Sequence, residues 1–211
     1  MIIKNVGFIG LGAMVGPMAS NIIKKGTKVS VFDIQPERIK KVTAVGGLGC
    51  KNIDEVVSNA EIVITMLPAT EQVKEVILGQ KGLISKLKPE YIIMDMSTIS
   101  PKGTDEVKKE CDRCQIHFVD APVGRLVSHA IAGDSLFMVG CENENIFKKI
   151  EPLLNAMGTS IIRCGKVGNG IRAKVVNIFL ILSIAQITAE ALTLAQKLDL
   201  DLNVFKEVNA G

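Results

Sequence analysis

The sequence has no tryptophan, only one tyrosine, and no clustered stripe of basic residues. Without aromatic platforms there is little on which unpaired bases could stack. The net charge is +3, and its basic residues are spread along the chain, so a nucleic-acid footprint is not expected. Internal repeats and low-complexity segments are also missing, so a repeat architecture is not expected. The opening "MIIKNVGFIG" runs straight into an apolar strand and lacks the long apolar stretch and cleavage site of a secretory leader. The cysteines number five, an odd count, which suggests reduced thiols in a cytoplasmic protein. Cys111 and Cys114 form a C-x-x-C at the end of a charged helical stretch. That placement reads as two small residues near a helix end, and no metal is expected. One stretch, residues 175–195, approaches the length of a membrane span. Asn177, Ser183, Gln186, Thr188 and Glu190 interrupt it, so it reads as a helix buried in a larger assembly, not in a membrane.

What is present is a long apolar chain: 211 residues, 47% hydrophobic. Its first part alternates strand and helix. "NVGFIG", "KVSVFD", "AEIVITML", "YIIMDMS", "IHFVDAPV", "SLFMVG" and "TSIIRCG" read as strands. "AMVGPMASNIIKKG", "PERIKKVTAVG", "TEQVKEVIL", "SPKGTDEVKKECDRC" and "NENIFKKIEPLLNAMG" read as helices, with Pro101 at a helix start. The spacing implies βαβ units and a mainly parallel, doubly wound α/β sheet, a Rossmann domain, over residues 1–168. After Gly170 the pattern changes to a long helix from about Ile171 to Leu198, followed by "LNVFKEVNAG". Residues 169–211 are therefore expected to be a connecting helix and the start of an incomplete all-helical domain.

The segment "GFIGLGAMVGPMASN" places Gly10-x-Gly12 between the first strand and the first helix. Gly10 permits a tight turn. Gly12 lets the backbone approach a pyrophosphate, and the helix N-terminus offers free N–H groups there. Leu11, Ala13 and Met14 complete the expected cofactor loop. Val15 stands where a third small residue usually packs helix on strand, and overpacking of that kind typically costs about 1–3 kcal/mol. Asp33 ends the second strand a little over twenty residues after the glycines. A carboxylate there accepts from a ribose diol and repels a ribose phosphate, and the adjacent Ile34 supplies no cation. NAD is therefore expected over NADP. Without those contacts, Asp33 reads as a turn cap before Pro36.

Four blocks together resemble the β-hydroxyacid dehydrogenases, the family of 3-hydroxyisobutyrate dehydrogenase. They are "GFIGLGAMVGPMASNIIKKG", "TMLPATEQVKEVILGQKGL", "DMSTISP", and "DAPVGRLVSHAIAG" leading to "GNGIRAKVVN". The resemblance covers nearly the whole chain. It implies a Rossmann domain, a long connecting helix and an all-helical second domain, which family chains extend well beyond residue 211. It implies that Met66, Leu67 and Pro68 line the adenosine side of the cofactor, and that Thr98 sits by the nicotinamide half. It implies that Lys174 is the catalytic lysine, exchanging a proton with the substrate oxygen, and that Ser97, Gly124, Arg125 and Asn177 bind substrate. Lys174 and Asn177, three apart, share a helix face. Without the family, a lysine on a long helix is usually a solvated side chain.

The resemblance also gives "DAPVGRLVSHAIAG" a role. Where most relatives carry a Ser-Gly-Gly run that cradles a carboxylate, this chain has Gly124, Arg125 and Leu126. A guanidinium suits an acidic head group, carboxylate or sulfonate. "PVGR" with the later "GIRAK" resembles the sulfolactaldehyde and succinic semialdehyde reductase branch. His129 reads as a loop residue. The implied activity is NAD-dependent hydride transfer to or from a small anionic hydroxy acid or its semialdehyde, in a homodimer or higher homo-oligomer. An NADP-dependent 6-phosphogluconate-type enzyme is disfavoured by Asp33. A Rossmann-fold binding or scaffold protein without turnover is the alternative: Val15 and the incomplete helical domain favour it, while Lys174 favours the enzyme, and Ile178 stands where relatives often carry a second asparagine after the lysine.

Overall fold

The computed structural model describes residues 3–210, with the side chain of Ala210 left aside. Met1 and Ile2, at the start of the expected apolar opening, and Gly211, at the end of the expected last helix, lie outside the described residues. Contacts divide the chain into two units, Met1–Lys174 and Val175–Gly211.

In the first unit the expected alternation is present. Strands β1 (Asn5–Ile9), β2 (Lys28–Phe32), β4 (Ile62–Thr65), β5 (Ile92–Asp95) and β6 (His117–Asp120) pair in parallel. Successive side chains on a strand point to opposite faces. Ile62 and Ile64 accordingly join one core cluster and Val63 the other. Helices α1 (Val15–Lys24) and α2 (Pro36–Thr43) belong with the first face, and α4 (Thr70–Leu78) and α5 (Pro101–Arg113) with the second. Each apolar stripe has helical spacing, as in α1, which buries Val15, Met18, Ala19 and Ile22. Ser100 caps α5 by accepting the Gly103 N–H, with Pro101 in its first turn.

Several elements go beyond the sequence reading. A two-residue edge strand β3 (Leu48–Gly49) and the short helix α3 (Ile53–Ser58) follow α2. "DAPVGRLVSHAIAG" forms the two-residue strand β7 (Val123–Gly124) and the helix α6 (Val127–Ala132), ended by Gly133 in the left-handed conformation. Strand β8 (Ser135–Gly140) then runs antiparallel to β6 and β7. After helix α7 (Glu144–Met157), β9 (Gly158–Gly165) pairs parallel to β8. The sheet order is β3-β2-β1-β4-β5-β6-β8-β7, with β9 on β8. The reversal at β8 follows from its connection: a parallel return needs a crossover, usually through a full helix, whereas residues 121–134 turn back on themselves.

Helix α8 (Asn169–Lys197) begins two residues earlier than expected. By contacts, its opening residues through Lys174 group with the first unit. Hydrogen bonds explain the grouping: Asp120 and Asp105, both in the first unit, hold Gly168, Ile171 and Arg172. The second unit contains the rest of α8 and α9 (Leu202–Ala210).

Candidate active site

The ends of β1, β4, β5 and β6 are level, because each ladder continues one bond past its strand. Met66 N–H donates to the Ile9 carbonyl at 3.1 Å, Met96 N–H to Thr65 at 2.8 Å and Ala121 N–H to Asp95 at 2.8 Å. The loops after these strands therefore start side by side. Strand order reverses between β1 and β4, which makes the crevice above them the place where a doubly wound sheet takes a ligand.

Gly10 begins the first loop with φ +89, and a Cβ there would run into the Met66 carbonyl oxygen. Only glycine fits. A Cβ on Gly12 would meet nothing within 4 Å, so the backbone there faces open space. Met14 starts α1 without a side-chain cap. The Val15 and Gly16 N–H groups turn back to the Gly12 carbonyl at 3.0 and 3.4 Å, which folds the loop tightly onto the start of the helix, whose dipole favours an anion there. These three observations fit a dinucleotide's pyrophosphate. Val15 is fully buried within the core and opens α1. Ala13 is exposed, and Leu11 is buried with its N–H donating to Asp33 Oδ2 at 2.6 Å.

Asp33 is buried at the end of β2, its other oxygen accepting the Gln35 N–H at 2.7 Å. It also faces Arg38 Nη1 at 3.4 Å. That guanidinium is the cation the sequence reading did not find. It lies five residues on, in α2, and its reach back across the strand–helix turn is a property of the fold.

Met66 and Leu67 are half-buried and Pro68 is exposed in the loop after β4. Ser97, expected to bind substrate, is 2% exposed with its hydroxyl already engaged. It donates to Asp95 Oδ1 at 2.6 Å and accepts the Leu67 N–H at 2.9 Å. Through these two bonds Ser97 ties the β4 loop to the β5 loop. Thr98, next in the chain, is exposed. Asp95 also accepts the Thr65 hydroxyl at 2.8 Å. Burial pushes its carboxyl up to about 6, the Ser97 and Thr65 hydrogen bonds pull it down, and the Asp120 charge adds a smaller upward push.

Gly124 is buried in β7, close against Leu136. Arg125 has φ +70, a conformation that costs a residue with a Cβ about 1–2 kcal/mol. Its guanidinium pairs with Asp134 and donates to Ser160 at 3.0 Å. An anion reaching Arg125 would therefore have to compete with Asp134.

Lys174 lies on α8 and is half-buried, and burial lowers its pKa below the usual lysine value. Asn177 lies on the same helix, in the second unit. Arg172, just before the lysine, forks onto Asp105 of α5 at 2.7 and 3.0 Å.

Residues 5–165 match the family model of the NAD binding domain of 6-phosphogluconate dehydrogenase. The chain is 34% identical over 98% of its length to the 3-sulfolactaldehyde reductase of Escherichia coli, spanning 69% of that protein. It is 37% identical over 97% of its length to the 3-hydroxyisobutyrate dehydrogenase of Pseudomonas aeruginosa, spanning 68% of it. The solved structure of Mycobacterium tuberculosis 3-hydroxyisobutyrate dehydrogenase with L-serine superposes with a TM-score of 0.90 at 34% identity. That match covers 100% of this chain and 71% of the other.

Proposed function

The chain belongs to the β-hydroxyacid dehydrogenase family, and from that premise we propose an NAD-dependent oxidoreductase of small anionic 3- or 4-hydroxy acids or their semialdehydes. The observation that carries this reading is Lys174: a half-buried ammonium with a lowered pKa on a helix whose start is bonded to the end of β6. The nicotinamide, when bound, supplies or takes the hydride. Reduction of a carbonyl builds negative charge on its oxygen, and Lys174 donates the proton that neutralises it. In the reverse direction the neutral amine takes the proton from the alcohol. The loop from Gly10 to Met14 and the start of α1 receive the pyrophosphate, and Met66, Leu67 and Pro68 flank the adenosine. Thr98 serves the nicotinamide half, and Asn177 the substrate. Titration with NAD and NADP, followed by a panel including 3-hydroxyisobutyrate, succinic semialdehyde and sulfolactaldehyde, tests the reading. A protein that binds neither nucleotide sinks it.

Cofactor choice rests on Asp33, with Arg38 beside it. NAD is expected to bind more tightly than NADP, because the Asp33 carboxylate repels a ribose phosphate and neutralises the one cation found next to it. Asp33→Ala is expected to lower NAD affinity and raise NADP affinity, since it removes the repulsion and frees Arg38 at once. In Asp33→Ala/Arg38→Ala the gain for NADP should disappear. Equal affinities in the unaltered protein would refute the assignment, and isothermal titration reads both.

Arg125 is proposed to hold the acidic head of the substrate in exchange for Asp134. Arg125→Ala is then expected to raise KM for an anionic semialdehyde by one order of magnitude or more, in line with about 1.5–3 kcal/mol for a charged hydrogen bond. Asp134→Asn, which removes the competitor, is expected to lower KM. If both substitutions reduce the melting temperature and leave KM alone, Arg125 is a brace for the β7–α6 loop only.

A further inference from the structure

A proton donor works only if it is held in place, and a displacement of about 1 Å can cost two orders of magnitude in rate. The start of α8 is held chiefly from inside the sheet, by one buried carboxylate. Asp120, at the end of β6, is 2% exposed. Its Oδ1 accepts the Gly168 N–H at 2.6 Å and its Oδ2 accepts the Ile171 N–H at 2.7 Å. Both oxygens are thus bonded to backbone amides at the mouth of one helix, where amides have no partner within the helix. A negative charge there is also favoured by the helix dipole.

The surroundings are shaped for this contact. A Cβ on Gly140 would run into Asp120 Oδ1, and one on Gly170 would run into the Met138 carbonyl oxygen and lie 2.9 Å from Asp120 Oδ2. Gly168 turns the chain into the helix with φ +90. Two glycines from separate segments, Gly140 and Gly170, therefore clear the way for one carboxylate. Arg172 adds a second tie, bonding the Gly168 carbonyl at 2.8 Å and Asp105 of α5. Burying a carboxylate is costly unless its oxygens are satisfied. Here it stands beside a second buried carboxylate, Asp95, its register partner on β5. An apolar residue at this strand end would avoid that cost but could not fix the helix.

We infer that Asp120 is a positioning residue for Lys174: it clamps the start of α8, so that the ammonium one turn further on is fixed relative to the sheet, and Gly140 and Gly170 provide its clearance. Asp120 touches neither cofactor nor substrate in this role. The inference rests on the reading of Lys174 as the proton donor.

The test uses the full chain with two substitutions. Asp120→Asn keeps the size of the side chain but turns an NH2 group toward one of the two backbone donors. Gly170→Ala keeps the carboxylate and pushes the helix off it. Each is expected to lower kcat about 100-fold, with KM and the dissociation constant for NAD changed less than about threefold. A second readout needs no turnover: the titration of Lys174, followed by NMR after 13C-methylation of lysines, is expected to move up toward the ordinary lysine value as the side chain leaves its half-buried place. Should Asp120→Asn fail to fold, Gly170→Ala carries the test. Unchanged kcat and unchanged Lys174 titration in a folded variant overturn the inference. Failure of the underlying reading looks different: Lys174→Ala then retains turnover, or the unaltered chain has none, and the titration alone decides whether Asp120 holds the helix.

Discussion

Lys174→Ala is expected to lower kcat by about 1,000-fold or more, at the upper part of the range for loss of a general acid, with the affinity for NAD unchanged. The separation follows from the geometry. Cofactor contacts are assigned to the loops after β1, β2, β4 and β5, whereas Lys174 is carried by α8, whose start is bonded to Asp120 at the end of β6. Burial is the one cause found for its lowered pKa, with no neighbouring charge contributing. The pH dependence then has a definite sign. Reduction needs the protonated amine, so its rate falls as pH rises through the Lys174 pKa, and burial places that fall below the ordinary value of 10.5. Oxidation needs the neutral amine, so its rate rises over the same range. Lys174→Arg separates charge from proton transfer, because a guanidinium keeps the charge and does not give up its proton near neutral pH. It is expected to be nearly as inactive as the alanine variant. Full activity in Lys174→Ala would remove the lysine from the mechanism.

Much of the fold is legible in the sequence, because its strongest signals are local. The apolar runs of β1, β2, β4 and β5 and the amphipathic spacing of α1 and α5 each lie within a dozen or so residues. β3 and α3 have two and six residues, too few for a periodic signal to stand out. The reversal at β8 was hidden for another reason. "SLFMVG" reads as a strand whichever way it runs, and its direction is set by how β7 folds back on it. The site divides in the same way. Gly10, Gly12 and Asp33 are visible because their chemistry depends on a strand–turn–helix of fixed length. Arg38 is masked because an arginine in a charged helix has no sequence mark distinguishing an ion pair from a solvated side chain. Asp120 lay in view in "FVDAPV", but its partners are 48 and 51 residues away, and no spacing rule connects them. The bonds of the Ser97 hydroxyl to Asp95 and Leu67 are likewise out of reach of the sequence, since Leu67 lies thirty residues away in another loop.

A dimer or higher oligomer is the expected state of the 211-residue chain in solution. Past Lys174, α8 exposes apolar side chains on most of its circumference, among them Phe179 at 73%, Leu182 at 64% and Ile187 at 65%. Phe179, Leu182, Gln186 and Ile187 follow helical spacing and share a face. By length and composition alone the helix could also cross a membrane, with a mean hydropathy of 1.9 over its most apolar window. Contiguous apolar patches of this kind are rare on soluble monomers and usually mark an interface. Full burial of about ten such side chains at about 1.5–3 kcal/mol each gives roughly 15–30 kcal/mol. Even half of that, for side chains already partly covered, offsets much of the estimated 4–15 kcal/mol cost of association. A second copy presents the same face, so the proposed arrangement is two long helices packed about a two-fold axis. Light scattering at micromolar concentration should give at least twice the monomer mass, and Ile187→Asp with Phe179→Asp should shift the population toward monomer while leaving nucleotide binding by the first unit intact. A monomer whose α8 resists proteolysis would sink the proposal. So would flotation with neutral lipid vesicles in place of self-association, which would assign the apolar face to a bilayer.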